Sequence, residues 1–550
     1  MDTESIAKNS RHRDVYRSFY TSDNQLVSYM VQLLDPQSGD SCLEPSAGNG
    51  CFVDGLLATG KKLNIRAIDL SENAVSTLKT KYANSENIEV FYQDFLLSSD
   101  GLFDDRQTVE RIIANPPYGG WQEYEKRISL KSVFPDLYVR ETYGLFVAQG
   151  LNNLKPNGRA VFILPETFLY LHLQKGLRKR ILEQYTINSI DVFPSDVFPG
   201  VNFGYAKLCI ISIDNIRPIS NHYVKIRQCK NLAELVSGEG GSYEAEQHSI
   251  LKRQEFTFPL NGYSPDTRLI DEAVLRLGDI ADCVTGIYTG NDGRFLRRSH
   301  NNTRGVEKYQ EIDCKMIAPK DNFHPTLEGF YDTNRFLPIL KGGGVPYLKP
   351  ELWFIDWSAE AVQHYKTNSK ARFQNRTYYF RRGIGFPMVS SGRATASVIK
   401  DSWLFDQSVV GIFPKQPEWF GFLLAFLNSS TCWRLLRQIN PSTNNSAKYL
   451  RRLPIILPAS NRLSWFNDVV SGHLTRLENN VQLNREIEKV LNESVNCLYE
   501  PALQEHLSVA AKDEMSLYNQ VIFGNRPAKS QREKTASEAY FPEWYRHEEA

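Results

Sequence analysis

The sequence has almost no net charge. Its 550 residues include 64 lysines and arginines against 63 aspartates and glutamates. The chain is therefore not a polycation, and any contact with nucleic acid must come from local basic patches. Candidate patches are Arg178-Lys179-Arg180, Arg297-Arg298, Arg381-Arg382 and Arg451-Arg452. A chain of this length is expected to form two or three domains.

The cysteines show no pattern typical of a metal site or a disulfide scaffold. They lie at Cys42, Cys51, Cys209, Cys229, Cys283, Cys314, Cys432 and Cys497, and no two form a Cys-x-x-Cys pair. The N-terminus lacks a charged segment followed by an apolar one, and no apolar run approaches the length of a membrane span. We therefore expect a cytoplasmic protein without a bound metal and without membrane contact.

The residues Asn115-Pro116-Pro117-Tyr118 follow a short apolar run, residues 111–114, that predicts a strand. Proline lacks a backbone N–H and fixes φ near about −65°, so the strand cannot continue pairing through two prolines. The last carbonyls and the Asn115 side chain should then form a rigid cluster of acceptors, with the Tyr118 ring beside it. Such a cluster suits an exocyclic amine on a flat ring. A proline-rich turn is the plainer interpretation.

An upstream segment, residues 41–52, predicts a strand, a tight glycine turn and a helix. Gly48 and Gly50 allow a sharp bend and close approach of the backbone to a ligand. The turn lacks the three spaced glycines of a dinucleotide site and the Gly-Lys-Ser/Thr of a phosphate loop. Glu44, at the strand end, suits a cationic amine better than a phosphate.

The next two predicted strands also end in acidic residues. Asp69 follows one, and Asp94-Phe95 follows the other. Each acid alone is more often a helix cap or turn residue, but four such strand ends in succession favour a ligand site. In open α/β sheets, ligands bind beyond the carboxyl ends of the strands. We expect Asp69 to accept from a ribose diol and Asp94 from an adenine amino group, with Phe95 stacked on the adenine ring.

These motifs together resemble those of the gamma-class N6-adenine DNA methyltransferases, with the TaqI-like enzymes as the nearest pattern. In that class the cofactor motif precedes Asn-Pro-Pro-Tyr, and the target-recognition region comes last. The resemblance implies an α/β fold, the class I SAM-dependent methyltransferase fold with its Rossmann-like doubly wound sheet. A C-terminal α+β DNA-recognition domain with a helical end would follow. The resemblance is strong over residues 17–210 and loose over residues 270–500.

The resemblance also implies a function. S-adenosyl-L-methionine would be the cofactor, and its methyl group would pass to a flipped-out adenine in double-stranded DNA, in a restriction-modification or phage-defence setting. On DNA the protein would be associated with the nucleoid. A cognate restriction or defence subunit is a candidate partner, and the oligomeric state stays open.

Site residues follow from matching the motifs. Residues 19–31 match the family's opening motif, although Ser22 replaces a proline there; Ser22 or Asp23 is expected to cap the helix. The implied cofactor-binding residues are Thr21, Glu44, Pro45, Ser46, Ala47, Gly48, Asp69, Asp94 and Phe95. The implied catalytic residues are Asn115, Pro116, Pro117, Tyr118 and Phe198. Phe198 would pack on the flipped base; Phe203 is the competing choice, and either could be a plain core residue.

Four segments are expected along the chain. Residues 1–265 form the catalytic domain, 266–460 the target-recognition domain, 461–525 a helical segment with an apolar stripe, and 526–550 a charged tail with a composition typical of disorder. Because fewer than 20 residues precede the opening motif, we expect no nuclease domain and no cleavage activity.

Alternative functions stay open at this stage. The same acceptor pair suits methylation of adenine in RNA or of a protein glutamine, since both present a planar conjugated nitrogen. N4-cytosine methylation is a further option, although that activity more often has Ser or Asp at the position of Asn115. A non-catalytic DNA-binding subunit belongs to a different class.

Overall fold

In a computed structural model of the protein, the described residues are 23–97, 108–118, 124–197, 207–260, 262, 264–302, 305–319, 326–479 and 485–499. They form two compact units, divided between Ser264 and Pro265. Each unit has a hydrophobic core of its own.

One sheet lies at the centre of the first unit, with nine strands among the described residues. Their spatial order is β3 (Ile88–Tyr92), β2 (Asn64–Asp69), β1 (Ser41–Glu44), β4 (Val109–Ala114), β5 (Leu154–Pro165), β7 (Lys207–Asp214), β6 (Thr186–Pro194), β8 (Tyr223–Gln228) and β9 (Gly241–Glu246). Strands β1 to β5 are mutually parallel, and β7 runs antiparallel to β5 and β6. The chain winds outward in both directions from β1 and β4. This doubly wound sheet confirms the predicted fold class.

Helices accompany this sheet. They are α1 (Asn24–Leu34), α2 (Cys51–Leu57), α3 (Glu72–Lys81), α4 (Tyr124–Val133), α5 (Thr142–Asn152), α6 (Lys175–Gln184), α7 (Leu232–Ser237) and α8 (Gln247–Lys252). Asp23 caps α1, because its Oδ1 accepts from the backbone N–H groups of Gln25 and Leu26 at 2.8 and 3.0 Å. Short 3₁₀ helices span Glu166–Leu169, His172–Gln174, Ser195–Val197 and Gln254–Phe256.

A buried polar triad joins α1 to the sheet. The Tyr29 hydroxyl donates to Asp191 Oδ2 at 2.7 Å, and Arg227 Nε donates to Asp191 Oδ1 at 2.6 Å. Arg227 Nη2 also donates to the Tyr29 hydroxyl at 2.6 Å. Because the charged pair is almost fully buried, its mutual hydrogen bonds offset the desolvation of both ions and fix α1 against β6 and β8.

Two four-stranded sheets form the second unit, as far as it is described. One has the order β10 (Ala281–Thr285), β17 (Val409–Pro414), β14 (Gly383–Pro387) and β15 (Ser397–Ile399), and is antiparallel. The other has the order β11 (Leu296–Arg298), β13 (Trp353–Asp356), β12 (Phe336–Leu340) and β16 (Leu404–Phe405).

Helices of the second unit contribute to the cores of both sheets. They are α9 (Pro265–Glu272), α10 (Leu277–Ile280), α11 (Asp292–Phe295), α12 (Ala359–Thr367), α13 (Phe420–Asn428), α14 (Ser430–Ile439), α15 (Ala447–Leu450), α16 (Ser460–Glu478) and α17 (Arg485–Tyr499). 3₁₀ helices span Cys314–Met316, Arg376–Tyr378 and Pro417–Trp419. The rings of Phe422 and Phe466, from α13 and α16, lie 5.4 Å apart, and those of Phe426 and Tyr499, from α13 and α17, 5.5 Å apart. The late helices therefore pack as part of this unit's core.

Within the described ranges, no helix is both long and apolar enough to cross a membrane. The same part of the chain holds no group of three or more His, Cys, Asp or Glu residues placed to bind a metal ion.

Candidate active site

The predicted site residues lie at one edge of the first unit's sheet. Glu44 ends β1, Asp69 ends β2, and Asn115 directly follows β4. Strand β1 lies between β2 and β4, with Glu44 beside Ala67 and Leu43 beside Ile112. Because these strands are parallel, their carboxyl ends meet at the same edge, where the chain also changes its winding direction.

Asp69 holds the glycine turn that follows β1. Its Oδ2 accepts from the Gly48 N–H at 2.7 Å, and its Oδ1 accepts from the Ser71 N–H at 2.8 Å. Gly48 adopts φ of 53° and Gly50 φ of 80°, left-handed conformations that favour glycine. Each carboxylate oxygen keeps a second acceptor position, so Asp69 can brace the turn and also accept from a diol.

Glu44 is a buried carboxyl group with an unsatisfied oxygen. The residue is 1% exposed, and no described residue donates a hydrogen bond to its Oε2. Burial raises the pKa of Glu44 well above its usual range; a hydrogen bond from the Val53 backbone acts in the opposite direction, while the charge of Asp69 raises the pKa further. A cationic amine at Oε2 would satisfy the oxygen and restore the charged form.

Asp94 is engaged by a lysine that the sequence patterns did not indicate. Its Oδ1 accepts from the Leu96 N–H at 3.0 Å, and its Oδ2 lies 2.6 Å from Lys126 Nζ on α4. Lys126 lies 32 positions away along the chain, beyond the reach of any local charge pattern. The neighbouring Phe95 is 2% exposed, and its ring packs 5.4 Å from that of Phe146.

The Asn115–Tyr118 turn is held from several sides. The Tyr118 hydroxyl lies 2.5 Å from Asn115 Oδ1 and 2.9 Å from the carbonyl oxygen of Ile163 in β5. Thr142 Oγ1 donates to the Pro117 carbonyl at 2.6 Å, and Ser46 Oγ to the Asn115 carbonyl at 3.2 Å. Of the described residues, none donates to the Pro116 carbonyl. The turn thus offers a fixed amide oxygen and an adjacent backbone acceptor.

Tyr118 is placed to orient Asn115, a contact that the sequence analysis did not foresee. The tyrosine is 2% exposed, and its ring meets that of Tyr143 edge-on at 6.3 Å. Stacking of this ring on a base stays a prediction.

Thr21, Phe198 and Phe203 lie outside the described residues. Pro45 and Ala47 are buried in the turn after β1.

In the candidate patch Arg178-Lys179-Arg180, Arg178 is a structural residue, whereas Lys179 is exposed. Arg178 is fully buried, and its guanidinium donates to the carbonyl oxygens of Phe168, Leu171, Glu255 and Phe256 at 2.6 to 3.1 Å. Because Arg178 lies in a run of basic residues, the sequence alone did not indicate that it is buried and has a structural role. In the patches of the second unit, Arg452 is also buried, whereas Arg381, Arg382 and Arg451 are exposed.

The sheet order and this edge define the class I SAM-dependent methyltransferase fold. Residues 49–198 match the family model described as Eco57I restriction-modification methylase. This part of the chain is an Eco57I-like restriction-modification methylase domain.

Two curated relatives are similar over part of the chain. The type II methyltransferase M.AccI of Acinetobacter calcoaceticus is 24% identical over 320 residues, which are 56% of this chain and 57% of that protein. The type II methyltransferase M.HindII of Haemophilus influenzae is 24% identical, over 52% of this chain and 55% of that protein. The chain spans about half the length of these relatives.

Solved structures share the fold over most of the chain. The type IIL restriction-modification enzyme MmeI, in complex with DNA, matches with a TM-score of 0.51 and 13% identity over 99% of this chain and 78% of that one. A nuclease-deletion mutant of the type ISP enzyme LlaGI, in complex with a DNA substrate mimic, matches with a TM-score of 0.52 and 13% identity over 86% and 56%.

S-adenosylmethionine is the cofactor that this class and domain imply, and the sheet edge fits it. The unsatisfied Glu44 oxygen matches the cofactor's amine, and Asp69 keeps acceptor positions for the ribose diol. Asp94 would accept from the adenine amino group, in competition with Lys126. These three carboxyl groups are acceptors that match the donors of the cofactor: its ammonium, its ribose hydroxyls and its adenine amino group.

Proposed function

We propose that the protein is a site-specific DNA adenine-N6 methyltransferase that acts on a flipped-out adenine in double-stranded DNA, in a restriction-modification or phage-defence setting. The observation that carries this proposal is the pair of acceptors after β4. Asn115 Oδ1 is held by the Tyr118 hydroxyl, and the adjacent Pro116 carbonyl has no donor among the described residues.

This acceptor pair suits the chemistry of an adenine amine. The N6 lone pair is delocalised into the ring, so the amine is a poor nucleophile. Hydrogen bonds from its two hydrogens to Asn115 Oδ1 and the Pro116 carbonyl favour a tetrahedral nitrogen with a directed lone pair. S-adenosylmethionine supplies a methyl group on a sulfonium, an activated leaving group. The chain's contribution is therefore positioning and electrostatic preorganisation, and the surplus amine proton leaves after transfer.

A duplex substrate is supported by the size and fold of the chain. The target nitrogen lies inside the stack, so the nucleotide must be extruded and held in a pocket. The second unit, from Pro265 onward, supplies a large separate surface that we assign to target recognition. The MmeI and LlaGI structures, whose folds this chain shares, are complexes with DNA or a DNA mimic.

RNA adenine and protein glutamine remain the competing substrates, because the acceptor pair suits any planar conjugated nitrogen. Enzymes with those substrates are usually compact, which the second unit argues against. A non-catalytic DNA-binding subunit would not need Glu44, Asp69, Asp94 and Asn115 together at one edge.

The test is expression of the chain in a host that lacks adenine methylation, followed by modification-sensitive single-molecule sequencing of genomic DNA. We expect N6-methyladenine at one short motif with wild type and with Asn73→Ala, an exposed asparagine on α3. Asn115→Ala should leave the DNA unmodified. Unmodified DNA from a folded, cofactor-binding wild type, or equal modification by Asn115→Ala, would contradict the proposal.

A further inference from the structure

Two loops of the second unit lie side by side. The first loop, residues 388–396, joins β14 to β15, and the second loop, residues 440–446, joins α14 to α15. Val389 and Asn444 pair in an antiparallel bridge, and the Ser390 N–H donates to the Thr443 carbonyl at 3.0 Å. The two loops therefore form one continuous surface.

A buried asparagine fixes the paired loops to each other. Asn445 is 0% exposed; its Nδ2 donates to the Pro387 carbonyl at 3.2 Å and to Ser390 Oγ at 3.0 Å. Its backbone N–H donates to the Met388 carbonyl at 2.6 Å, and its Oδ1 accepts from the guanidinium of Arg437. These hydrogen bonds hold the two loops in one fixed conformation. Less conformational entropy is therefore lost when the surface binds a partner.

The exposed side chains of these loops are small, and most are polar. Val389 is 66% exposed, and Ser391, Thr443 and Asn444 are exposed as well. A Cβ added at Gly392 would meet no atom within 4 Å, so the surface there is open. In the described part of the chain, no residue forms a hydrogen bond with the hydroxyl of Ser391 or Thr443. Their donors and acceptors are thus available to a partner.

Charge and chemistry favour DNA as that partner. Neither loop contains Asp or Glu, so nothing within them repels a polyanion. The Arg393 guanidinium donates to the Asn428 carbonyl, which places a cation at the end of the first loop. The major groove presents donors, acceptors and the thymine methyl, to which Ser, Thr, Asn and a β-branched apolar side chain correspond. One exposed valine is far less than the apolar core that a protein interface needs.

We infer that the paired loops read base edges in the major groove and so determine which sequence the enzyme methylates. This inference rests on the proposed function and names the residues that give it specificity. Val389 contacts a thymine methyl, and Thr443 and Ser391 hydrogen-bond to base edges.

The experiment uses the full chain with Val389→Ala, Thr443→Ala and the double variant. Single-turnover methylation is measured on duplexes in which each base pair of the wild-type motif is replaced in turn. Discrimination at one or two positions should fall by roughly 10- to 100-fold, with the other positions unchanged. Val274→Ala, a control at a valine that is 99% exposed outside both loops, should discriminate as wild type does.

The outcomes separate the two proposals. If wild type methylates DNA but the double variant keeps wild-type discrimination at every position, or loses rate equally on all duplexes, only the inference about the loops falls. A wild type that methylates no duplex overturns the proposed function, and the inference with it.

Discussion

At the scale of single residues, Tyr118 connects the Asn115 side chain, which we propose to be catalytic, to the core of the sheet. Its hydroxyl contacts Asn115 Oδ1 at 2.5 Å and the Ile163 carbonyl at 2.9 Å, and the residue is almost fully buried. The ring alone would suffice for stacking on a base. The hydroxyl is needed only if the orientation of Asn115 matters.

Tyr118→Phe separates these roles. The variant keeps the ring and removes the hydroxyl, so we expect single-turnover methylation to fall by about 5- to 30-fold, the effect of losing a hydrogen bond of about 1–2 kcal/mol. Affinity for S-adenosylmethionine, measured by calorimetry, should be unchanged. A wild-type rate in Tyr118→Phe would show that only the ring contributes.

Glu44 predicts a pH dependence of stability. Its folded-state pKa is raised by burial, so between the ordinary carboxyl value, about 4.3, and the raised folded value the folded state binds more protons than the unfolded state. The group's contribution to the free energy of unfolding is therefore fully present below about pH 4 and is lost as the pH rises.

Glu44→Gln removes this dependence. The variant without cofactor should be more stable than wild type at pH 8 and gain less, or nothing, at pH 5; thermal unfolding at the two pH values measures this. It should also bind S-adenosylmethionine about tenfold or more weakly, since a buried ion pair is lost. Glu72→Gln, at an exposed position of α3, is the control. Unchanged cofactor affinity in Glu44→Gln would refute the assigned role of Glu44.

At the scale of elements, α4 is connected to the cofactor edge through one ion pair. Lys126 on α4 lies 2.6 Å from Asp94 Oδ2, and both side chains are about one quarter exposed. In the proposed binding mode, the adenine amino group of the cofactor shares or replaces this contact with Asp94. If Asp94 binds the cofactor as we propose, the cofactor and helix α4 share one carboxylate.

Lys126→Met removes the competitor for Asp94. We expect affinity for S-adenosylmethionine to rise by up to about fivefold, because a partly exposed ion pair is worth about 0–1 kcal/mol. Lys131→Met, on the same helix, should leave the affinity unchanged. Weaker binding in Lys126→Met would mean that the lysine assists the cofactor rather than competing with it.

The sequence predicts elements better than the contacts between them. The strand ends at Glu44, Asp69 and Asn115 can be recognised in the sequence, because a buried parallel strand is an apolar run that is followed by Gly, Pro or acidic residues. Their convergence follows from the doubly wound topology. Asp94 contacts Lys126, which lies 32 positions further along the chain. Pro117 contacts Thr142, which lies 25 positions further along. Such pairs depend on register and helix packing, which no local pattern encodes. The burial of Arg178 was missed for the same reason.

At the scale of the whole molecule, the chain forms two compact units. The contact division between Ser264 and Pro265 falls beside the sequence-based boundary at residue 265, and helices α16 and α17 share a core with the strands of the second unit. The fold class and the methylase domain were predictable because their motifs are local and ordered. The surface formed by the paired loops of the second unit was not predictable. The two loops are far apart in the sequence, and only the structure shows that buried Asn445 joins them.

The measurement that tests the central claim most directly is a comparison of cofactor affinity with methyl transfer in the full chain. Calorimetry gives the Kd for S-adenosylmethionine, and single-turnover assays on duplex DNA give the rate. Asn115→Ala should bind the cofactor within about twofold of wild type and lose at least about 100-fold in rate. Asp69→Asn should weaken cofactor binding about 10- to 100-fold and transfer nearly normally once saturated. Transfer by Asn115→Ala at the wild-type rate would contradict the account.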